Sequence, residues 1–293
     1  MNMEQLNRAT GFLIIEVINS NPNGDPDRES DPRQRPDERG EISPVSFKRK
    51  LRDLVENKEG PVWQEVKGQM GLNDEEFMIL EQRGREREEI KKLNREEFQK
   101  RYWDARLFGN TFLEAMKEEE KKSKDYSHFI KTGAVQFGMG VSIAPILIER
   151  QTTTNKAGVE KEKDRGMAPL AYRIVQHGVY TMPFFVNSSA AKQSGCMKQD
   201  VELMLKLIPY AYPHTASYIR PAVEIRHAWY MEHHGALGSC SDFALIEALT
   251  PQKINEPDRP SSSWQEYQVP TKLPDELAKK LLSVKDLVKE MAS

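Results

Sequence analysis

An α+β fold is the class this chain predicts, on three observations. Short apolar runs rich in β-branched and aromatic residues, such as Gly11 to Ile18 and Leu170 to Val186, end in turn residues. Stretches with apolar residues at helical spacing separate them, the clearest being Ser188 to Leu207. The signals run β, α, charged helical insertion, α, β, polar hairpin, β, α, β, which is neither all-helical nor a regular βα alternation.

Gly11 to Ile18 reads as a buried strand. It runs into Asn19-Ser20-Asn21-Pro22-Asn23-Gly24-Asp25-Pro26-Asp27, where prolines fix φ and Gly24 permits a positive φ. Pro26, Pro32 and Pro36 keep the following residues out of helix, so Asp25 to Glu41 is expected to be a long projecting loop. Ser43 before Pro44 marks a helix N-cap with proline in the first turn. Lys48 and Arg52 stand four apart and Arg49 and Arg52 three apart, which places three cations on one face. A strand end with Asn21 and Asn23, a loop, and the Lys48/Arg49/Arg52 face together make a candidate phosphate-binding corner.

Gly60-Pro61 breaks the chain, and Val62 to Trp103 reads as charged amphipathic helices forming an insertion over 61–103. That insertion is either structural or in contact with nucleic acid, the former being the simpler reading. Asp104 to Lys117 is expected to continue as helix. Asp104 and Arg106 near its start read, from the residues alone, as an ion pair stabilising the helix start. Gly133 to Glu149 is strand-like with Gly138 and Gly140 interrupting, and Gln136 either hydrogen-bonds a base or a 2′-hydroxyl or is a polar solvent-facing residue. From Glu149 to Leu170, polar β-formers, Gly158 and mixed charges describe a long exposed hairpin. Val223 to Met231 is a further strand and Asp242 to Leu249 a short helix. Pro251 to Pro270 carries no periodicity and reads as a linker, and Asp275 to Met291 reads as a closing amphipathic helix.

The composition bounds the function. The 293 residues suffice for one large interrupted domain, and 30% charged against 38% hydrophobic residues describes a soluble chain. No apolar run reaches the roughly 20 residues of a membrane span. Met1 to Thr10 lacks an apolar signal core, so a cytoplasmic location away from membranes is expected. Cys196 and Cys240 are too few for a disulfide framework. A net charge of −2 and a pI of about 6.4 do not advertise nucleic-acid binding, so any such site depends on a locally basic groove.

Four stretches carry a family resemblance: Asn21-Pro22-Asn23-Gly24-Asp25-Pro26 with Pro32-Arg33 and Lys48 to Arg52; Asp104-Ala105-Arg106-Leu107-Phe108-Gly109; Gly133-Ala134-Val135-Gln136-Phe137 with Ser142; and Gly178 to Asp200. The chain resembles the CRISPR-associated RAMP-superfamily backbone subunit of type I Cascade complexes, in its I-C and I-B branch, from about Gly11 to about Pro251. The resemblance implies an RRM-like, ferredoxin-like palm (11–60 and 104–250), helical fingers (61–103), a thumb hairpin (149–170), and a tail of linker and helix (251–293).

It also implies a non-catalytic, cofactor-free subunit that polymerises with copies of itself along CRISPR guide RNA. Other Cascade subunits, target DNA paired to the guide, and a recruited helicase-nuclease would be its partners in antiviral defence. The stretch from Asp104 would lie close to the bound strand, which makes Arg106 a candidate phosphate ligand as the alternative to its ion pair with Asp104. In the hairpin, Arg150, Lys161, Lys163 and Arg165 would supply charge, Thr152, Thr153 and Thr154 hydroxyls, and Met167 an apolar wedge.

Two other chemistries are weighed. Asp25, Asp27 and Asp31 in one loop could hold Mg²⁺ for ribonuclease chemistry of the type III kind, or be ordinary turn residues. His227, His233, His234 and Cys240 have poor zinc spacing, since adjacent strand residues face opposite ways, and no metal is expected there. No phosphate loop of the GxxxxGK[ST] type is present. A purely structural assembly protein, indifferent to RNA, is the remaining class.

Overall fold

A computed structural model describes residues 6–82, 90, 92–110, 132–156 and 167–292, with 151–156 and 167–171 described as backbone. Strand β1 (Ala9–Ser20) is central and pairs antiparallel with β6 (Met167–Val186) on one side and β7 (Val223–His233) on the other. Its unbroken apolar run follows from burial on both faces. Leu13, Ile15 and Val17 enter the main core, while Phe12 and Ile14 enter a second one. Beyond β6 lie β4 (Gly140–Pro145) and β2 (Arg39–Ile42), and beyond β7 lies β10 (Leu281–Asp286), giving the order β10-β7-β1-β6-β4-β2. β3 (Val135–Phe137), β4 and β5 (Ile148–Lys156) pair in turn with successive lengths of β6. The pairings between these strands are antiparallel, so the mixed α and β class expected from the sequence is the one observed.

The main core lies between one sheet face and the helices. Helix α1 (Pro44–Glu56) contributes Phe47, Leu51, Leu54 and Val55, and α2 (Pro61–Met70) contributes Val62, Trp63 and Val66. As the sequence predicts, Ser43 caps α1, its side chain accepting from the Ser46 amide, with Pro44 in the first turn. α3 (Arg95–Arg101) leads into α4 (Trp103–Phe108), every residue of which is buried. The fully buried Trp63 ties the 61–103 stretch into the main core.

Three elements differ from the sequence reading. The helix over Ser188 to Leu207 is two, α5 (Ser188–Ser194) and α6 (Lys198–Leu207), because Gly195 takes φ +75° and closes the first. Asn187, not Ser188 or Ser189, caps α5 by accepting from the Ser189 and Ala190 amides. The helix over Asp275 to Met291 is replaced by a four-residue helix, α8 (Asp275–Ala278), then β10, then α9 (Leu287–Ala292). The open edge of β7 explains the change: Asp286 accepts from the Ala228 amide at 3.1 Å and meets His227 Nδ1 at 2.8 Å, contacts a free helix would forgo. The Pro251 to Pro270 linker folds onto the second core, where Tyr267 and Leu273 pack with Trp229, Met231 and α7 (Asp242–Leu249), and β8 (Gln252–Lys253) pairs β9 (Tyr267–Gln268).

A buried charge pair anchors α6. Arg106 (2% exposed) meets both carboxylate oxygens of Asp200, at 2.7 and 3.1 Å, and donates to the Gln99, Lys100 and Glu76 carbonyls. Asp200→Ala is expected to destabilise the fold by about 3–5 kcal/mol, because it leaves that guanidinium buried without its counter-charge; urea unfolding measures it. Ending the chain after Lys280 is expected to bare the β7 edge, lower the urea midpoint and raise light scattering.

Candidate nucleic-acid interface

The corner after β1 is built from asparagine side chains turned inward. Asn21 (1% exposed) donates its amide to the Ser30 carbonyl at 2.9 Å, and its backbone N–H to Ile219 at 2.7 Å. Asn23 Oδ1 accepts from the Ser43 amide at 2.7 Å, tying the loop to the start of α1. The expected projecting loop is folded back on the sheet. Asp31, buried, binds Arg150 at 2.5 Å and Arg173 at 3.4 Å, so the loop is clamped to the root of the β5–β6 hairpin. The Arg150 hydrogen bond holds the Asp31 carboxyl below the usual aspartate range. This depressed value makes the clamp's contribution to stability present above about pH 4 and lost as the pH falls through it.

The three cations assigned to one face of α1 have different surroundings. Arg52 is 4% exposed in its side chain, meets Asp104 at 2.9 Å and Glu81 at 3.1 Å, and lies 5.2 Å from the Phe108 ring centroid. Arg49 is half-exposed and donates to Asp53 at 2.6 Å, to the Glu81 carbonyl and to Glu56. Lys48 stacks over Phe108 at 5.3 Å and, among the described residues, has no carboxylate within ion-pair distance. Burial, with Arg52 beside it, pushes its ammonium below the usual lysine range.

Three of the sequence stretches converge here through their aromatic rings. Phe137 of β3 contacts Phe47 of α1 at 5.1 Å, Phe108 of α4 at 6.2 Å and Phe184 of β6 at 4.9 Å. Gly133 lies so close that a Cβ would stand 2.2 Å from the Gly109 nitrogen, which explains glycine at that position. Gln136 is exposed on β3, its amide 3.2 Å from the Gly133 carbonyl. Ser142 is internal, accepting from the Gly40 amide and donating to the Ala144 carbonyl. The Asp104–Arg106 pair considered from the sequence does not form, since each residue takes a different partner.

The hairpin leaves the sheet at Val175, the last β6 residue paired to β1, and runs on to Met167 paired with β5 alone, a projection of about 25 Å. Thr152, Thr153, Thr154 and Met167 lie on its arms, their side chains outside the description; Lys161, Lys163 and Arg165 lie outside the described residues. The sequence reading did not single out Arg173 or Arg220 at this corner, nor Asp200 as the partner of Arg106. Each is brought there by tertiary pairing, with no local motif to mark it.

The carboxylates of the loop are not arranged as a metal site. Asp31 is held by two arginines, and Asp25 Oδ1 accepts from the Asp27 amide as an ordinary turn residue. Among the described residues no group of three or more His, Cys, Asp or Glu is placed to hold a metal. His233 instead contacts Thr10, Ser239 and Asp242. Arg52→Ala is expected to cost about 3–5 kcal/mol and Arg49→Ala under about 1 kcal/mol, a contrast that urea denaturation of the two variants measures.

The sequence model of the family described as CRISPR-associated protein Cas7 matches residues 7–272. A search of curated proteins found no match. Among solved structures, the chain is similar to one from a "CRISPR RNA-guided surveillance complex, pre-nicking" (TM-score 0.46, 15% identity, 76% of this chain and 77% of that one). It is similar to one from a "CRISPR RNA-guided surveillance complex" (TM-score 0.43, 17% identity, 76% and 68%). A third is from a "Type III-B Cmr-beta bound to cognate target RNA" (TM-score 0.41, 11% identity, 77% and 61%). With the family model spanning nearly the whole chain, this protein belongs to the CRISPR-associated protein Cas7 family.

Proposed function

We propose that this chain is a non-catalytic guide-RNA-binding backbone subunit of a type I Cascade complex. Copies assemble head to tail along the CRISPR RNA and present it for pairing with target DNA. One observation carries the reading. The α1, α4 and β3 motif stretches meet at a single aromatic cluster, where Lys48 has no carboxylate partner among the described residues, beside a hairpin that projects from the sheet. A cation over an aromatic ring at such a corner suits single-stranded backbone binding.

The strand order β7-β1-β6-β4 supports a ferredoxin-like palm, since in chain order it places the fourth and third core strands either side of the first, with the second outside the third. The 61–103 stretch then serves as fingers and the β5–β6 hairpin as thumb. Specificity comes from base pairing by the guide, as in other RNA-guided effectors, and other subunits cap a filament built from two unlike faces of one chain. Cleavage belongs to a recruited helicase-nuclease. No helix of the described residues is long and apolar enough to cross a membrane, in keeping with a cytoplasmic complex.

Because Arg52 and Arg106 hold buried aspartates, their substitution tests folding before binding. Lys48→Gln with Gln136→Ala avoids that ambiguity. In cells carrying a CRISPR array and the partner subunits, the wild type is expected to elute large with a discrete short RNA, and the double variant to lose RNA while remaining folded. Elution of the wild type as an RNA-free monomer overturns the reading. Asp25→Ala and Asp27→Ala are expected to leave RNA content and length unchanged in Mg²⁺; a Mg²⁺-dependent cut that either one abolishes would support a type III ribonuclease instead.

A further inference from the structure

The turn before β7 carries an aromatic ring into solvent and holds it there. Ser217 to Arg220 closes through the Arg220 amide on the Ser217 carbonyl at 2.8 Å, with Tyr218 and Ile219 at its two central positions. The turn is tied to the end of β1. The Asn21 amide donates to the Ile219 carbonyl at 2.7 Å, Arg220 Nε–H to the Asn21 carbonyl at 2.8 Å, and the Ala222 amide to Ser20 Oγ at 2.9 Å. Tyr218 is nevertheless 60% exposed. Its ring meets that of Tyr172 at 5.3 Å with the planes 80° apart. Tyr172, half-buried, stands on β6 just beyond Val175, where the hairpin leaves the sheet.

In an edge-to-face contact one ring gives its edge and the other a face. Whichever part Tyr218 takes, at least one of its own faces lies outside the contact. Backbone bonds from one element and a ring from another thus fix the side chain while leaving a π-face for a further partner. The neighbouring residues indicate which kind. Ala216, Ser217, Pro221 and Ala222 are exposed and small, so the ring stands alone rather than at the centre of a broad apolar patch, where a protein hot spot would sit. A single rigid π-face suits one flat ring, and every nucleobase offers one. Stacking of this kind reads no base edge, so it tolerates any guide sequence. We propose that Tyr218, steadied by Tyr172, is a stacking platform for one nucleobase of bound single-stranded RNA. The proposal rests on the RNA-binding reading above and adds to it a site that uses no cation and lies on neither α1 nor β3.

The test is equilibrium binding to the full chain of the shortest single-stranded RNA it holds, over a range of salt, for wild type, Tyr218→Ala, Tyr218→Leu and Tyr218→Phe. The Ala and Leu variants are expected to lose about tenfold in affinity and the Phe variant to keep it, since the ring and not the hydroxyl stacks. The log–log salt slope is expected to be the same in all four, because stacking releases no counterions. Single abasic nucleotides placed along the RNA are expected to weaken wild-type binding at one register and to leave Tyr218→Ala insensitive there. This arm reads the native protein, so misfolding of a variant cannot mimic it. 2-Aminopurine at that register is expected to be quenched by wild type and Tyr218→Phe but not by Tyr218→Leu.

Wild-type RNA binding with unchanged affinity in Tyr218→Ala overturns the platform while leaving the RNA reading intact. Equal loss in Tyr218→Phe overturns stacking in favour of a hydrogen bond from the hydroxyl. Unchanged RNA affinity with loss of the large assembled species in cells overturns the nucleobase assignment in favour of a contact between protein subunits. Failure of the wild type to bind RNA overturns the underlying reading, and this site with it.

Discussion

The short helix Trp103–Phe108 is the constraint on which the rest of the molecule depends. All its residues are buried, and two opposite charges on it reach in different directions. Asp104 receives Arg52 from α1 and the amides of Leu80 and Glu81, while Arg106 reaches Asp200 on α6 and three carbonyls of the insertion. Trp103 adds a bond from its indole N–H to the Asp200 carbonyl. Ions this deeply buried are tolerated only when their remaining hydrogen-bonding capacity is filled, and here it is filled by backbone. One six-residue helix thereby fixes α1, α6 and the insertion relative to the sheet.

That arrangement decides which charges remain for a partner. The near-neutral total hides a partition. Arg49, Arg52, Arg106, Arg150 and Arg173 are held by carboxylates within the fold. Lys48, Lys50 and Arg220 are not so held among the described residues, and all three sit around α1 or the end of β1. Local charge, rather than net charge, is what a phosphate encounters.

The arginine clamp on Asp31 has a related consequence. It joins the loop after β1 to the hairpin root, so two segments about 120 residues apart in sequence move as one edge of the corner. A displacement of the hairpin would be felt by the Asn21–Asn23 turn through this pair and through the Asn23 bond to Ser43. The corner is therefore a braced surface rather than a pliable loop.

The sequence by itself determined the central strand, the Ser43 cap, the polar hairpin arms and the mixed α and β class. Each rests on a local signal: an apolar run, a capping residue before proline, or alternating β-formers. It also marked, through resemblance, the stretches that meet at Phe47, Phe108 and Phe137. The partner of each buried charge was not legible, because Arg52 and Asp104, or Arg106 and Asp200, are far apart in the chain and their pairing is a property of packing. The same holds for Leu281–Asp286, whose local pattern favours helix but whose backbone completes the open edge of β7. Tertiary structure alone decided that Asn21 and Asn23 brace the loop, that Arg52 is buried, and that Lys48, Lys50 and Arg220 have no carboxylate within ion-pair distance among the described residues. Solvation and counter-charge are set by neighbours that only folding brings together.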